Sequence, residues 1–157
     1  MSRRVMSAAV MAVAFIAAAP SAVWADMSKP VIGAFKGQLV ISSDELPTGK
    51  NDKDTIAKIK KAQVKELTGT ASEDVTSWNF HYTAFLSRPG AKILKMGCMK
   101  GNKLSADKQL DGIDPKSTVL SGDISINEDE GLAKGNTYQI RLVSGSTVVA
   151  KTSLVMK

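Results

Sequence analysis

The stretch Val75 to Leu86, "VTSWNFHYTAFL", constrains the fold of this chain more than any other. Trp78, Phe80, Tyr82, Ala84 and Leu86 alternate with Ser77, Asn79, His81, Thr83 and Phe85. Large apolar groups at every second position cannot line one side of a helix, whose period is 3.6 residues. They line one face of a strand. Such a strand needs a second apolar layer to bury that face, so the pattern predicts a β-sandwich with the even positions of 78–86 in its core.

Turn chemistry divides the rest of the chain into further short strands. "AFKGQLVIS", residues 34–42, reads as a first strand with Gly37 as an irregularity, and "DELPTGKND" after it is turn chemistry. Strands are also predicted over 91–99, 118–126, 138–143 and 147–156, the last two forming a hairpin around Ser144-Gly145-Ser146. Residues 53–67 break this pattern. Ile56, Ile59, Gln63 and Leu67 fall near helical spacing, Asp52 or Asp54 offers a cap, Gly69 offers a stop, and Lys58, Lys60, Lys61 and Lys65 supply a wet side. The expected fold class is therefore all-β, an antiparallel sandwich with one short helical insert between its first and second strands.

One segment refines this expectation. "LAKGNTYQIRL" spaces Leu132, Gly135, Tyr138, Ile140 and Leu142 in a way that resembles the start of the penultimate strand in immunoglobulin-like and fibronectin type III domains. The resemblance, over residues 72–157, implies that Tyr138 hydrogen-bonds back across a corner and that Trp78 is the core tryptophan. The cysteine pair of antibody domains is absent, and the helical insert is not part of the standard plan.

The N-terminus reads as a leader. Arg3 and Arg4 precede an apolar run from Val5 to Ala19, Pro20 ends it, and Val23-Trp24-Ala25 has the form of a signal-peptidase site. The run falls short of the ~20 residues that span a bilayer. Residues 1–25 are thus expected to be a secretory signal peptide and 26–157 a single domain, periplasmic or secreted, with no membrane span after cleavage. Loss of the two arginines lowers the formal charge from +6 to +4. With one cysteine, no intramolecular disulfide forms, and the fold rests on its hydrophobic core.

"KMGCMK", residues 95–100, gathers the only cysteine and two of seven methionines. Met96, Cys98 and Met99, with His81 from a neighbouring strand, are soft ligands of the kind that hold copper(I). The ordinary alternative is that Cys98 is a buried, inert thiol and the methionines are core fillers. A second alternative, a hydrolase, needs a site assembled from distant residues, since no G-x-S-x-G or H-E-x-x-H pattern occurs. The acidic groups Asp107, Asp111 and Asp114, and Asn127 to Glu130, lack EF-hand spacing and read as solvated loops. No cofactor and no catalytic residue is expected.

That leaves interaction. Arg88, Lys92, Lys95, Lys100 and Lys103 spread over a predicted strand pair and its turn, and Phe85 is the one large apolar residue on the wet face of its strand. These residues form the candidate interaction surface, for a protein partner or an anionic envelope surface. No aromatics interleave with the basic residues, so nucleic acid is not an expected partner. The function predicted from the sequence is that of an exported binding module.

Overall fold

A computed structural model of the chain describes residues 27–157, and the expected leader, 1–25, lies outside the described residues. The described elements run α1 (Lys29–Ala34), β1 (Leu39–Ser42), α2 (Asp52–Ala62), β2 (Glu66–Leu67), β3 (Thr70–Ser72), β4 (Val75–Phe85), β5 (Leu94–Lys100) and β6 (Lys103–Leu110). They continue with β7 (Val119–Asn127), a 3-10 turn (Glu128–Glu130), β8 (Thr137–Ser144) and β9 (Thr147–Met156). None of the described helices is long and apolar enough to cross a membrane.

The strands form two sheets, and the chain is an all-β sandwich with little helix. In the four-stranded sheet, β4 is central: β7 pairs with Ser77 to Phe85 on one side, while β1 and β3 share the other. The five-stranded sheet has the order β2-β9-β8-β5-β6, antiparallel except for β2 beside β9. Between the sheets, Trp78, Phe80, Tyr82 and Ala84 of β4 meet Met96 and Cys98 of β5 and Tyr138, Ile140 and Leu142 of β8, all buried. The alternation of β4 thus builds the core that it predicts. Trp78 is fully buried and donates its indole N–H to the Lys157 carbonyl at 3.2 Å. The Tyr138 hydroxyl accepts the Ala133 N–H at 2.9 Å, closing the corner before β8.

A second, smaller core lies on the outer face of the four-stranded sheet. Val31 from α1, Phe35 at its C-terminal cap, Leu46, and Ile59 from α2 cover Val40, Phe85 and Val119. Phe85 does point away from the sandwich interior, as expected, but it is fully buried there, its ring 5.1 Å from that of Phe35. It belongs to no accessible patch. The expectation missed α1 because its six residues carry only a short apolar pattern. Pro30 in its first turn is compatible with helix, and Val31 and Phe35 stand one turn apart. Gly37, at φ +79°, then separates α1 from β1, so the first strand starts at Leu39 and not at Ala34.

The helical insert is real but shorter than 53–67. Asn51, not an aspartate, caps α2 by accepting the Asp54 N–H, and α2 ends at Ala62. Beyond it the Val64 N–H bonds to Ile41, and β2 pairs with the end of β9. Backbone pairing with the sheets therefore outcompetes the last helical turn, and Val64 and Leu67 pack against the main core.

The last hairpin holds one irregularity that matters below. Ser144 pairs with Thr147 and Val143 with Val148, but Leu142 pairs with Ala150. Val149 is the extra residue of a β-bulge. Without it, Ile140 would stand opposite Lys151 and send a lysine into the core. With it, Ala150 and Leu154 face inward and Lys151 faces out.

Candidate functional site

The residues proposed as metal ligands do not come together. Met96 and Cys98 lie on the inner face of β5, fully buried between the sheets, while Met99 turns to the outer face of the same sheet. His81 sits on the outer face of the other sheet. Among the described residues no group of three His, Cys, Asp or Glu side chains could hold a metal ion. Burial, with the charges of Asp107 and Glu130 adding to it, pushes the Cys98 thiol up to about 12. We expect a disulfide reagent at pH 8 to label Cys98 no faster than the protein unfolds, and at once in denaturant; rapid labelling of the native protein would contradict this placement. The folded thiol keeps its proton above the ordinary 9.0. Its contribution to stability is therefore complete below pH 9 and is lost as pH rises towards 12.

The acidic loops serve local structure. Glu130 and Asn127 form a reciprocal capping box at the 3-10 turn, and Lys108 reaches Glu130 at 3.0 Å. The backbone bond from Asn127, helped by Lys108, holds the Glu130 carboxyl below its usual range. Glu128 accepts the Thr76 N–H, and Asp114 accepts that of Lys116.

His81 makes a defined contact that the sequence does not announce. Leu86 donates to Thr118 across the β4–β7 ladder, so the even positions of β4 carry the bonds to β7. His81 and Asp123 are then a pair without ladder bonds between them, the arrangement that brings side chains closest. The His81 Nδ1 lies 2.9 Å from the Asp123 carboxylate, which can only accept, so Nδ1–H donates. The opposite nitrogen, Nε2, is sealed from solvent and has no hydrogen-bond partner among the described residues, and neither has the Thr83 hydroxyl two residues along the same face. A groove of about 350 Å³ is lined by His81 and Asp123 together with Ser43, Asn79 and Ser125. A general base must reach the proton it abstracts, and in this geometry Nε2 touches neither a hydroxyl nor the groove's solvent. The pair joins β4 to β7.

The outer face of the five-stranded sheet is different, because none of the described helices covers it. Ile93 (53% exposed), Leu104 (51%) and Val148 (39%) are the large apolar side chains that stand exposed among the described residues; pairing with Met99 and Val143 puts Leu104 and Val148 on this face, and Ile93 immediately precedes β5. Cations stand among them. Arg141 is directly opposite Lys151, and Lys95, opposite Val143, is diagonal to Arg141. None of these three cations has an ion-pair partner among the described residues.

This face gathers the proposed basic residues only in part. Lys95 lies on it. Lys100 and Lys103 lie at the β5–β6 turn, roughly 17 Å further along the strand at ~3.4 Å per residue. Arg88 and Lys92 lie in the β4–β5 loop. β5 is an interior strand of its sheet, running between β8 and β6. The cations that the sequence reading missed, Arg141 and Lys151, meet only because of the Val149 bulge. A hairpin without the bulge would pair Arg141 with Ala150. Comparison with known proteins finds no matching family, no matching curated protein and no matching solved structure.

Proposed function

We propose that this chain is an exported, non-catalytic binding module of the immunoglobulin or fibronectin type III kind, and that it meets its partner through the outer face of the five-stranded sheet. Support for the fold comes from the strand order, with β1-β4-β7 stacked on β6-β5-β8-β9, and from the Tyr138 corner and the buried Trp78. The leader-like N-terminus supports export to the periplasm or beyond.

One observation carries the functional reading. The four-stranded sheet hides its outer apolar residues beneath α1 and α2, whereas the five-stranded sheet leaves Leu104 and Val148 in solvent beside cations that have no ion-pair partner among the described residues. Apolar groups rimmed by charge are the ordinary composition of a protein interface. The cations suit an acidic protein or an anionic envelope surface.

Leu104→Glu with Val148→Glu tests this. The double variant should keep its thermal unfolding profile and lose association with an envelope preparation from the cells that carry the protein. Lys58→Glu with Lys61→Glu, on the wet side of α2, should leave association intact. The reverse result, with the α2 variant defective and the sheet variant normal, would move the interface to the helical side.

A further inference from the structure

We propose that the cleft beside the β9 bulge is a binding site for a phosphate or sulfate group borne on a larger molecule, with Arg141 and Lys151 as its two cations. The cleft has a volume of about 370 Å³ and is lined by Gly37, Ser87, Gln139, Arg141, Val148 and Lys151, together with the buried Val149. The proposal rests on the reading of this sheet face as the binding face, and it names the chemistry of one part of what binds there.

Charge is the first argument. Arg141 and Lys151 occupy directly opposed positions of neighbouring strands, where side chains stand about 5 Å apart at Cβ and like charges repel. No carboxylate lines the cleft, and neither cation has an ion-pair partner among the described residues. An anion between them converts that repulsion into two attractions. Nothing in the packing demands the pair. The bulge removes Lys151 from the core, but a neutral polar residue would satisfy the outer face as well.

Preorganisation is the second argument. The Arg141 Nε donates to the Gln139 side-chain oxygen, which fixes the plane of the guanidinium and leaves its two terminal amino groups for a ligand. Gln139, accepting through its oxygen, keeps its own amide N–H₂ as a donor beside them. The bulge turns the Val149 carbonyl to accept the Ser87 N–H at 2.9 Å, and the Lys151 N–H bonds to Gly37. Ser87 and Gly37 are thereby tied to the rim, and the serine hydroxyl adds another donor.

The donor count selects the ligand. The side chains that line the cleft carry two free guanidinium amino groups, an ammonium, an amide and a hydroxyl, more donors than the two oxygens of a carboxylate engage. A phosphate or sulfate ester presents three terminal oxygens, and two cations match the charge of a phosphate ester. The molecule that carries the group has Val148 to rest upon.

The test is an amide-resolved NMR titration of the protein with phenyl phosphate, phenyl sulfate and, for comparison, benzoate. Phosphate or sulfate should give saturable shifts centred on Gly37, Ser87, Gln139, Arg141 and Lys151, and benzoate should bind more weakly than the better of the two. Arg141→Gln and Lys151→Gln should each weaken binding about tenfold or more, as loss of a charge-assisted hydrogen bond does. Lys100→Gln with Lys103→Gln, which removes the same kind of charge elsewhere, should not. Shifts that never saturate, or equal weakening by the Lys100/Lys103 pair, would overturn the site in favour of diffuse charge attraction. Which of the two esters binds more tightly identifies the group. A protein that still binds envelopes through Leu104 and Val148, yet ignores all three probes, refutes the anion site and leaves the binding face standing. Undiminished envelope binding by Leu104→Glu with Val148→Glu refutes the face itself, whatever the cleft does.

Discussion

Gly131→Ala is expected to destabilise the protein by about 2–6 kcal/mol, the sum of a strained backbone and a steric overlap. That is a large share of the roughly 5–15 kcal/mol that holds an ordinary domain folded. Gly131 has φ +114° and ends the 3-10 turn that follows β7. A Cβ there would stand 1.9 Å from the Ser105 carbonyl oxygen of β6, a backbone atom that cannot swing aside. The turn would have to lift off β6. With it would go the seat of Leu132 in the main core and the approach to the Tyr138 corner. Gly135→Ala is the control. Its φ of +79° is also unfavourable for alanine, but nothing lies within 4 Å of the added carbon, so the cost should be only the ~1–2 kcal/mol of a left-handed residue. Urea midpoints of the two variants decide the matter. Equal midpoints would mean that the turn does not press on β6 in solution.

The parts of this fold that the sequence discloses are those where one face of an element is uniformly apolar. β4 shows its period of two because every inward position from Trp78 to Ala84 is apolar, and the Tyr138 hydrogen bond to Ala133 shows because its spacing is local. β6 escapes notice for the opposite reason. Its inward positions include Lys108, which stands opposite Met96 and reaches out to Glu130, so "KLSADKQL" has no clean alternation. A charged residue aimed inward on an edge strand is a known guard against unwanted sheet pairing. It protects the fold and blurs the pattern together.

The candidate site is less legible still, because it depends on register. Along the chain, Lys95 groups with Arg88, Lys92, Lys100 and Lys103. In the sheet it groups with Arg141 and Lys151. Strand pairing brings residues 95, 141 and 151 together, and one extra residue in β9 decides whether Lys151 faces solvent or core. No propensity marks Val149 as that residue. Its place follows only from asking which register keeps lysine out of the interior, a question that cannot be put until β8 and β9 are already paired.

Phe85→Ala is the other substitution with a large expected effect, about 3–5 kcal/mol as for other buried phenylalanines. On the strand pattern alone Phe85 is a wet-face residue, and truncating an exposed side chain is usually within ±0.5 kcal/mol. The two accounts therefore differ several-fold in one denaturation curve. The loss should also be uneven. Phe85, Phe35, Val40, Ile59 and Val119 form a core separate from the one between the sheets. Its main work is to hold α1 and α2 down on β4. Removing the central ring should raise hydrogen exchange in Lys29–Ala34 and Asp52–Ala62 by more than in β8 and β9, since regions sharing few buried contacts can open independently. A uniform rise would mean that both cores melt as one unit. A negligible loss of stability would return Phe85 to the surface and reopen the four-stranded sheet as an interaction face.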